Sequence, residues 1–181
     1  LKLDRQVQET QEADDDEKFK LRDLLDLGRN ASFLYIALLC VAFYSAVFPF
    51  MQYAPDLLVN KFGFTKELPE LAGMGFGATM KAWLTNGPKV ASLIPWGSII
   101  FTPLFGMFVD RFGKAASVMI LGSVLLIFAH LSLSVFDNVW LGYAGLFSLG
   151  VAFSLVPAAM WPSVARIVPD RQLGTAYATM F

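Results

Sequence analysis

Cysteine and histidine occur once each, as Cys40 and His130, and both stand inside apolar runs. One cysteine excludes an intrachain disulfide and any cysteine-rich metal site. Charge is almost as scarce over most of the chain: of 29 charged residues, 15 lie in the first 30 positions, leaving 14 for the 151 that follow. The formal net charge is −1, so no basic surface argues for nucleic acid. Also missing are a His-Glu-x-x-His pair, a paired-carboxylate site, a Ser/His arrangement and a phosphate-binding glycine loop, the usual marks of a protease, a hydrolase or an ATP-driven pump. Neither an enzyme nor a bound cofactor or metal is expected.

What fills the sequence is hydrocarbon. Apolar residues make up 56% and charged residues 16%, against about 25% charged in an ordinary soluble domain. Four runs are nearly free of charge: 32–53, 90–109, 115–136 and 139–165. A helix crosses a hydrocarbon core of about 30 Å with roughly 20 such residues. Four in succession exceed what the core of a domain this small can bury, and they read as membrane-spanning helices. A fifth begins at about 173 and runs to 181, so the expectation is a piece of a longer protein.

Residues 1–31 are of another kind. The acidic run Asp14 to Glu17 is too polar to bury a core and reads as a solvated linker. Phe19, Leu21, Leu24, Leu25 and Leu27 alternate with charges, which predicts a short amphipathic helix along the membrane surface, ended by Gly28. Lysine and arginine then set the orientation. Ten lie on the side of the chain start, the 110–114 junction and the 166–171 junction, and four lie opposite, so the first set is cytoplasmic. That leaves 54–89 as one long external loop. Its Gly and Pro argue against a single helix, and Leu68, Leu71, Met74, Met80, Trp83 and Leu84 predict short amphipathic turns.

The junction Gly106-Met-Phe-Val-Asp110-Arg111-Phe-Gly113-Lys114 packs three charges between two apolar runs. An anion at a helix C-terminus is disfavoured by the dipole, so Asp110 calls for a positive partner or a neighbouring helix N-terminus. Gly106 would admit that neighbour, Gly113 would allow the sharp turn, and Arg111 with Lys114 would hold the loop at the anionic inner surface. Such a set acts as a latch.

This pattern resembles the signature loop of the major facilitator superfamily, G-x-x-x-D-R-x-G-R/K, although Ala115 and Ala116 stand where a further base is common. The segments FYSAVFPF, KFGF and AMWPSVARIVPDRQLGTAY further resemble the dipeptide-transporting branch of that family, found in lysosomes and bacteria. The resemblance implies an all-α membrane protein of the superfamily's helical bundle. It implies a central linker at 1–31 and, in 32–181, about four complete helices of the C-terminal six-helix half, helices seven to ten. The implied activity is secondary active or facilitative transport of a small organic solute by alternating access. The implied partners are the lipid bilayer, the solute and an N-terminal six-helix half, and the implied location is the cell membrane, as a multi-pass protein.

By the same resemblance, helices seven and ten line the central cavity. Tyr44, Phe48 and Gln52 recur every four residues on the first run, and an amide in lipid is costly, so that face points to protein or water. On the fourth run Tyr143, Phe147, Gly150, Ser154, Pro157 and Trp161 form a second stripe. Tyr44, Phe48, Gln52, Ser154 and Trp161 are the candidates for contact with solute. Phe147 is assigned to helix packing and Tyr143 to an aromatic belt with Trp140. Helix packing is the alternative role for every one of them. His130 lacks a carboxylate partner in the sequence around it and reads as structural. The alternative for the whole chain is a membrane adaptor or receptor subunit that binds through the loop 54–89.

Overall fold

The computed structural model describes residues 21–180, with the side chains of residues 21 and 22 left out. The acidic run Asp14 to Glu17, read as a linker, lies outside the described residues. Among those described, helices α1 (Leu21–Arg29), α2 (Ala31–Phe62), α3 (Phe76–Leu84), α4 (Gly87–Phe112), α5 (Ala115–Val135), α6 (Val139–Ile167) and α7 (Leu173–Met180) follow one another, with a 3-10 turn at Asp170–Gln172. No strand is present among them; a single isolated bridge joins Thr65 and Asn86. α2, α4, α5 and α6 are long and apolar enough to cross a membrane. The chain is an all-α, multi-pass integral membrane protein.

The described residues form two compact units, 21–42 with 160–180, and 43–159. In the first, Leu27 of α1 is buried and α1 lies against α7. Gln172 Nε2 donates to Asp23 Oδ1 at 3.1 Å. The chain turns at Asn30, whose Oδ1 accepts from Phe33 N at 3.2 Å while its Nδ2 donates to Ile167 O at 3.1 Å. Gly28 therefore does not end α1, which continues to Arg29. An asparagine that caps the next helix is the stronger stop.

In the second unit α6 touches α2, α4 and α5. Small residues set the spacing. A Cβ added at Gly122 of α5 would lie 2.5 Å from Val156 Cγ2, and one added at Gly145 of α6 would lie 2.9 Å from Leu133 Cγ and 3.1 Å from Ala129 O. Close helix approach through glycine is the expected device where lipid offers no hydrophobic drive to association. Val109, Val118, Leu155 and Ala159 form a buried cluster beside this seam.

Two elements differ from expectation. α2 does not stop at Tyr53; it runs through Pro49 and Pro55 to Phe62, 32 residues in all, or about 48 Å at 1.5 Å per residue. The reason is a buried stripe at Ala54, Leu58 and Phe62, which packs where Gly87 and Gly142 leave room. Between α2 and α4 only Phe76–Leu84 is helical, and Leu68 to Met74 is irregular. Pairing closes the loop. Thr65 N donates to Thr85 O at 2.8 Å and Gly87 N to Thr65 O at 3.0 Å. Asn86, 2% exposed, donates to Thr65 O at 3.1 Å and caps α4 by accepting from Lys89 N at 3.1 Å.

Candidate functional site

Three of the five candidate contact residues share one face of α2. The rings of Tyr44 and Phe48 stack at 5.0 Å between centroids and 13° between planes. Phe48 is 56% exposed, and Gln52 is exposed one turn further on. Behind them Phe43 is buried, edge-on to Tyr44 at 5.4 Å and stacked on Phe153 of α6 at 6.5 Å. Phe43 thus fixes the rotation of α2 and so aims Tyr44 and Phe48 outward. Phe153 carried no signal of its own in the sequence, because an aromatic in a largely apolar run is indistinguishable from core.

Ser154 does not join this face. It is 0% exposed and its hydroxyl donates to Gly150 O at 2.9 Å. A serine in an apolar helix commonly satisfies itself on the carbonyl one turn back, so helical spacing alone overstated its reach. Trp161 belongs to the other unit. Its ring lies 5.9 Å from Tyr177, whose hydroxyl donates to Trp161 O at 3.1 Å.

A groove of about 300 Å³ opens between α4 and α6, lined by Ile94, Gly97 and Phe101 on one side and Tyr143, Phe147 and Gly150 on the other. Phe147, assigned to packing from sequence, is 69% exposed at its rim. Gly150 was the available signal: it faces Ile94 Cα at 4.0 Å from where its Cβ would be. Tyr143 does sit near Trp140, at 6.2 Å, and its hydroxyl donates to Leu84 O at 2.6 Å, tying the end of α3 to α6.

At the charged junction Gly113 takes a left-handed conformation, φ 65°, and its N–H bonds Val109 O at 2.8 Å. Only glycine adopts this readily. Lys114 then starts α5, its carbonyl accepting from Val118 N at 3.1 Å. Asp110, Arg111 and Lys114 all reach solvent-accessible surface, and Asp110 is not a bare charge. Gly106 differs from expectation: among the described residues nothing lies within 4 Å of where its Cβ would be, so no close-approaching helix explains it here. No group of three or more His, Cys, Asp or Glu side chains among the described residues is placed to hold a metal.

Similar proteins give this geometry its setting. The chain is 32% identical over 165 residues to the lysosomal dipeptide transporter MFSD1 of Danio rerio, covering 91% of this chain and 31% of that protein. The mouse protein of that name, from Mus musculus, is 31% identical over 165 residues, again 91% and 31%, and the Homo sapiens protein is 29% identical over 164 residues, 91% and 30%. The chain spans about a third of the length of these relatives. No solved structure matches it. Residues 75–181, more than half of the chain and including the Asp110 junction, match the Major Facilitator Superfamily, and the chain belongs to that family.

Proposed function

We propose that this chain is part of a secondary active or facilitative transporter that moves a small organic solute, with dipeptides the favoured class, by alternating access. In such a cycle two helical bundles rock about a site near the midplane. This chain supplies most of one bundle and an N-terminal six-helix half supplies the other. Tyr44, Phe48 and Gln52 contact the solute from α2, and Trp161 contributes from α6. Asp110, Arg111, Gly113 and Lys114 act as the latch of one conformational state, on the cytoplasmic side.

One observation carries the reading: α2 presents a stacked Tyr44–Phe48 pair and the Gln52 amide on one exposed face. Against hydrocarbon an unpaired amide costs several kcal/mol, about 2–7 by the usual transfer references. Facing an aqueous cavity it costs little, and the amide can bond peptide groups of a solute while the rings cover its apolar part. The relatives named as dipeptide transporters support dipeptides as the solute class. Their names also say lysosomal, so an intracellular membrane stands beside the cell membrane as the site of action, and fluorescent tagging of the intact protein decides between them.

The test is uptake by the intact transporter in liposomes, with dipeptides set against sugars and organic acids, with and without a proton gradient. Gln52→Leu should raise KM about tenfold while leaving thermal stability within about 1 kcal/mol, the worth of one lost hydrogen bond, and Tyr44→Ala should weaken solute affinity more than folding. Loss of stability in step with loss of affinity refutes the cavity role and returns these residues to packing. The adaptor reading draws on the exposed Phe76, Met80, Trp83 and Leu84 of α3; it requires that no solute be taken up at all.

A further inference from the structure

None of the nine residues of α3 is buried. An isolated helix shorter than about 12–15 residues is marginal in water even with the best helix formers, and α3 also carries Gly77 and Thr79, which are poor ones. Its stability therefore comes from a surface that covers it. The side to be covered is apolar. Phe76, Met80 and Trp83 follow at helical spacing with Leu84 beside them; Phe76 is 82% exposed, and the other three are exposed as well. Thr79 and Ala82 are half-buried, and Ala78 stands opposite the stripe.

Two contacts fix the level at which α3 lies. The Tyr143 hydroxyl donates to Leu84 O at 2.6 Å, and the Tyr143 ring is 6.2 Å from that of Trp140. Tyrosine and tryptophan collect where hydrocarbon meets headgroups. The Lys89 ammonium lies 5.3 Å from the centroid of the Trp83 ring. Lys89 also heads a stripe of α4 that continues through Leu93, Trp96 and Ile100, all exposed. An ammonium above such a stripe marks the water-side limit of the hydrocarbon. Through Trp83 and Lys89 the apolar side of α3 thus runs on into a wall of α4 that exposes only apolar side chains.

That continuity names the occupant. We propose that α3 is an interfacial anchor: Phe76, Met80, Trp83 and Leu84 enter the boundary between headgroups and acyl chains of the phospholipid leaflet at this end of the bundle, with Lys81 and Lys89 level with the phosphates. Lys66, Glu67 and Glu70 precede α3 in the irregular segment, so no charge stands on the inserted stripe. Only Thr85 and Asn86 separate α3 from α4, and Asn86 caps α4. The leaflet therefore holds the level of the α4 N-terminus. Lipid on this stripe also withdraws the four side chains that an adaptor would offer to a protein. The inference needs only that the chain crosses a membrane, and stands or falls apart from the solute face of α2.

The test uses the intact transporter with its other reactive cysteines replaced, in phosphatidylcholine nanodiscs. Phe76→Cys, Met80→Cys and Ala78→Cys each carry an environment-sensitive fluorophore. Nitroxide on the lipid acyl chains should quench the probes at 76 and 80 about three- to tenfold more than the probe at 78, and aqueous iodide should do the reverse, as for a helix set about 5–10 Å into the boundary. Quenching of 76 and 80 by iodide overturns the anchor. Shielding from both quenchers overturns it too, and puts protein on the stripe, from the transporter outside this chain or from a separate partner. The second readout is amide exchange of residues 76–84 in the same nanodiscs. Phe76→Gln with Met80→Gln should lower protection there about three- to tenfold, because the helix is left to its own propensity, while residues 139–167 keep theirs. Unchanged protection in that double variant overturns the proposal.

Discussion

Adding one methyl group to the seam between α5 and α6 should separate two helices that the rest of the structure holds together. In Gly122→Ala the new Cβ would start 2.5 Å from Val156 Cγ2, where carbon atoms settle at about 3.5–4.0 Å. A gap of about 1 Å must open. The obstructing methyl cannot swing aside cheaply, because Val156 is fully buried and a β-branched side chain has one favoured rotamer in a helix. Overpacking of this kind costs about 1–3 kcal/mol, and the better helix propensity of alanine returns up to about 1 kcal/mol. The net is a loss of about 1–2 kcal/mol. Gly145→Ala should match it, since one of its obstacles, Ala129 O at 3.1 Å, is backbone.

The assay is thermal unfolding of the intact transporter in detergent, with Gly106→Ala as the comparison. Nothing among the described residues lies within 4 Å of a Cβ at Gly106, so that variant should match the native midpoint or exceed it. The double variant Gly122→Ala, Val156→Ala should recover at least about 1 kcal/mol relative to additive behaviour, because the two sites share one contact. A native midpoint for Gly122→Ala, or strict additivity in the double variant, refutes the seam. Destabilisation by Gly106→Ala would instead place a neighbour against Gly106 from outside this chain's described residues, as the latch reading requires.

Asn86→Ala removes both the cap of α4 and the bond to Thr65 O; a buried cap with two partners should cost about 1–3 kcal/mol, read as a lowered unfolding midpoint and faster proteolysis between Gly63 and Gly87. Lys61→Met leaves Leu133 O and Ser134 O at the end of α5 without the ammonium now 3.0 and 2.7 Å away, and should cost about 1 kcal/mol; Asp137→Asn should cost less, because that ion pair is 3.5 Å long and Asp137 is exposed. Asp110→Asn should leave membrane insertion intact and slow or bias the transport cycle, checked by solute flux and by accessibility of inner-side cysteine probes; unchanged flux and unchanged accessibility remove the latch.

The spans were legible because each is a long run without charge, and in hydrocarbon that property alone decides where a helix crosses. Their ends were less so. The first run was read as ending at Tyr53, yet the 54/58/62 stripe carries α2 onward, a tertiary effect of glycines more than twenty residues away. Gly113 was legible in full, since a glycine between a C-terminal turn and a new helix has one common use and its φ of 65° is that use. Ser154 and Gly106 were less legible for a shared reason. Helical spacing tells which residues share a face but not what lies opposite, and a buried hydroxyl or an open glycine depends entirely on that.

Exposure by itself does not pick out a solute face in a chain of this kind. Between Val90 and Val109, α4 exposes only apolar side chains, and α5 does the same between Val118 and Leu133. In water such surfaces would drive aggregation; in lipid they are the ordinary outer wall. α2 differs, since it exposes the Gln52 amide in line with the Tyr44–Phe48 stack. Phe43, Val47, Ala54 and Leu58, buried on this part of α2, are all apolar, so its polarity here is on the outside, the reverse of what hydrocarbon would select. That polarity, and not the aromatic content shared by every span, is the ground for proposing that the α2 face turns to water or to a polar solute.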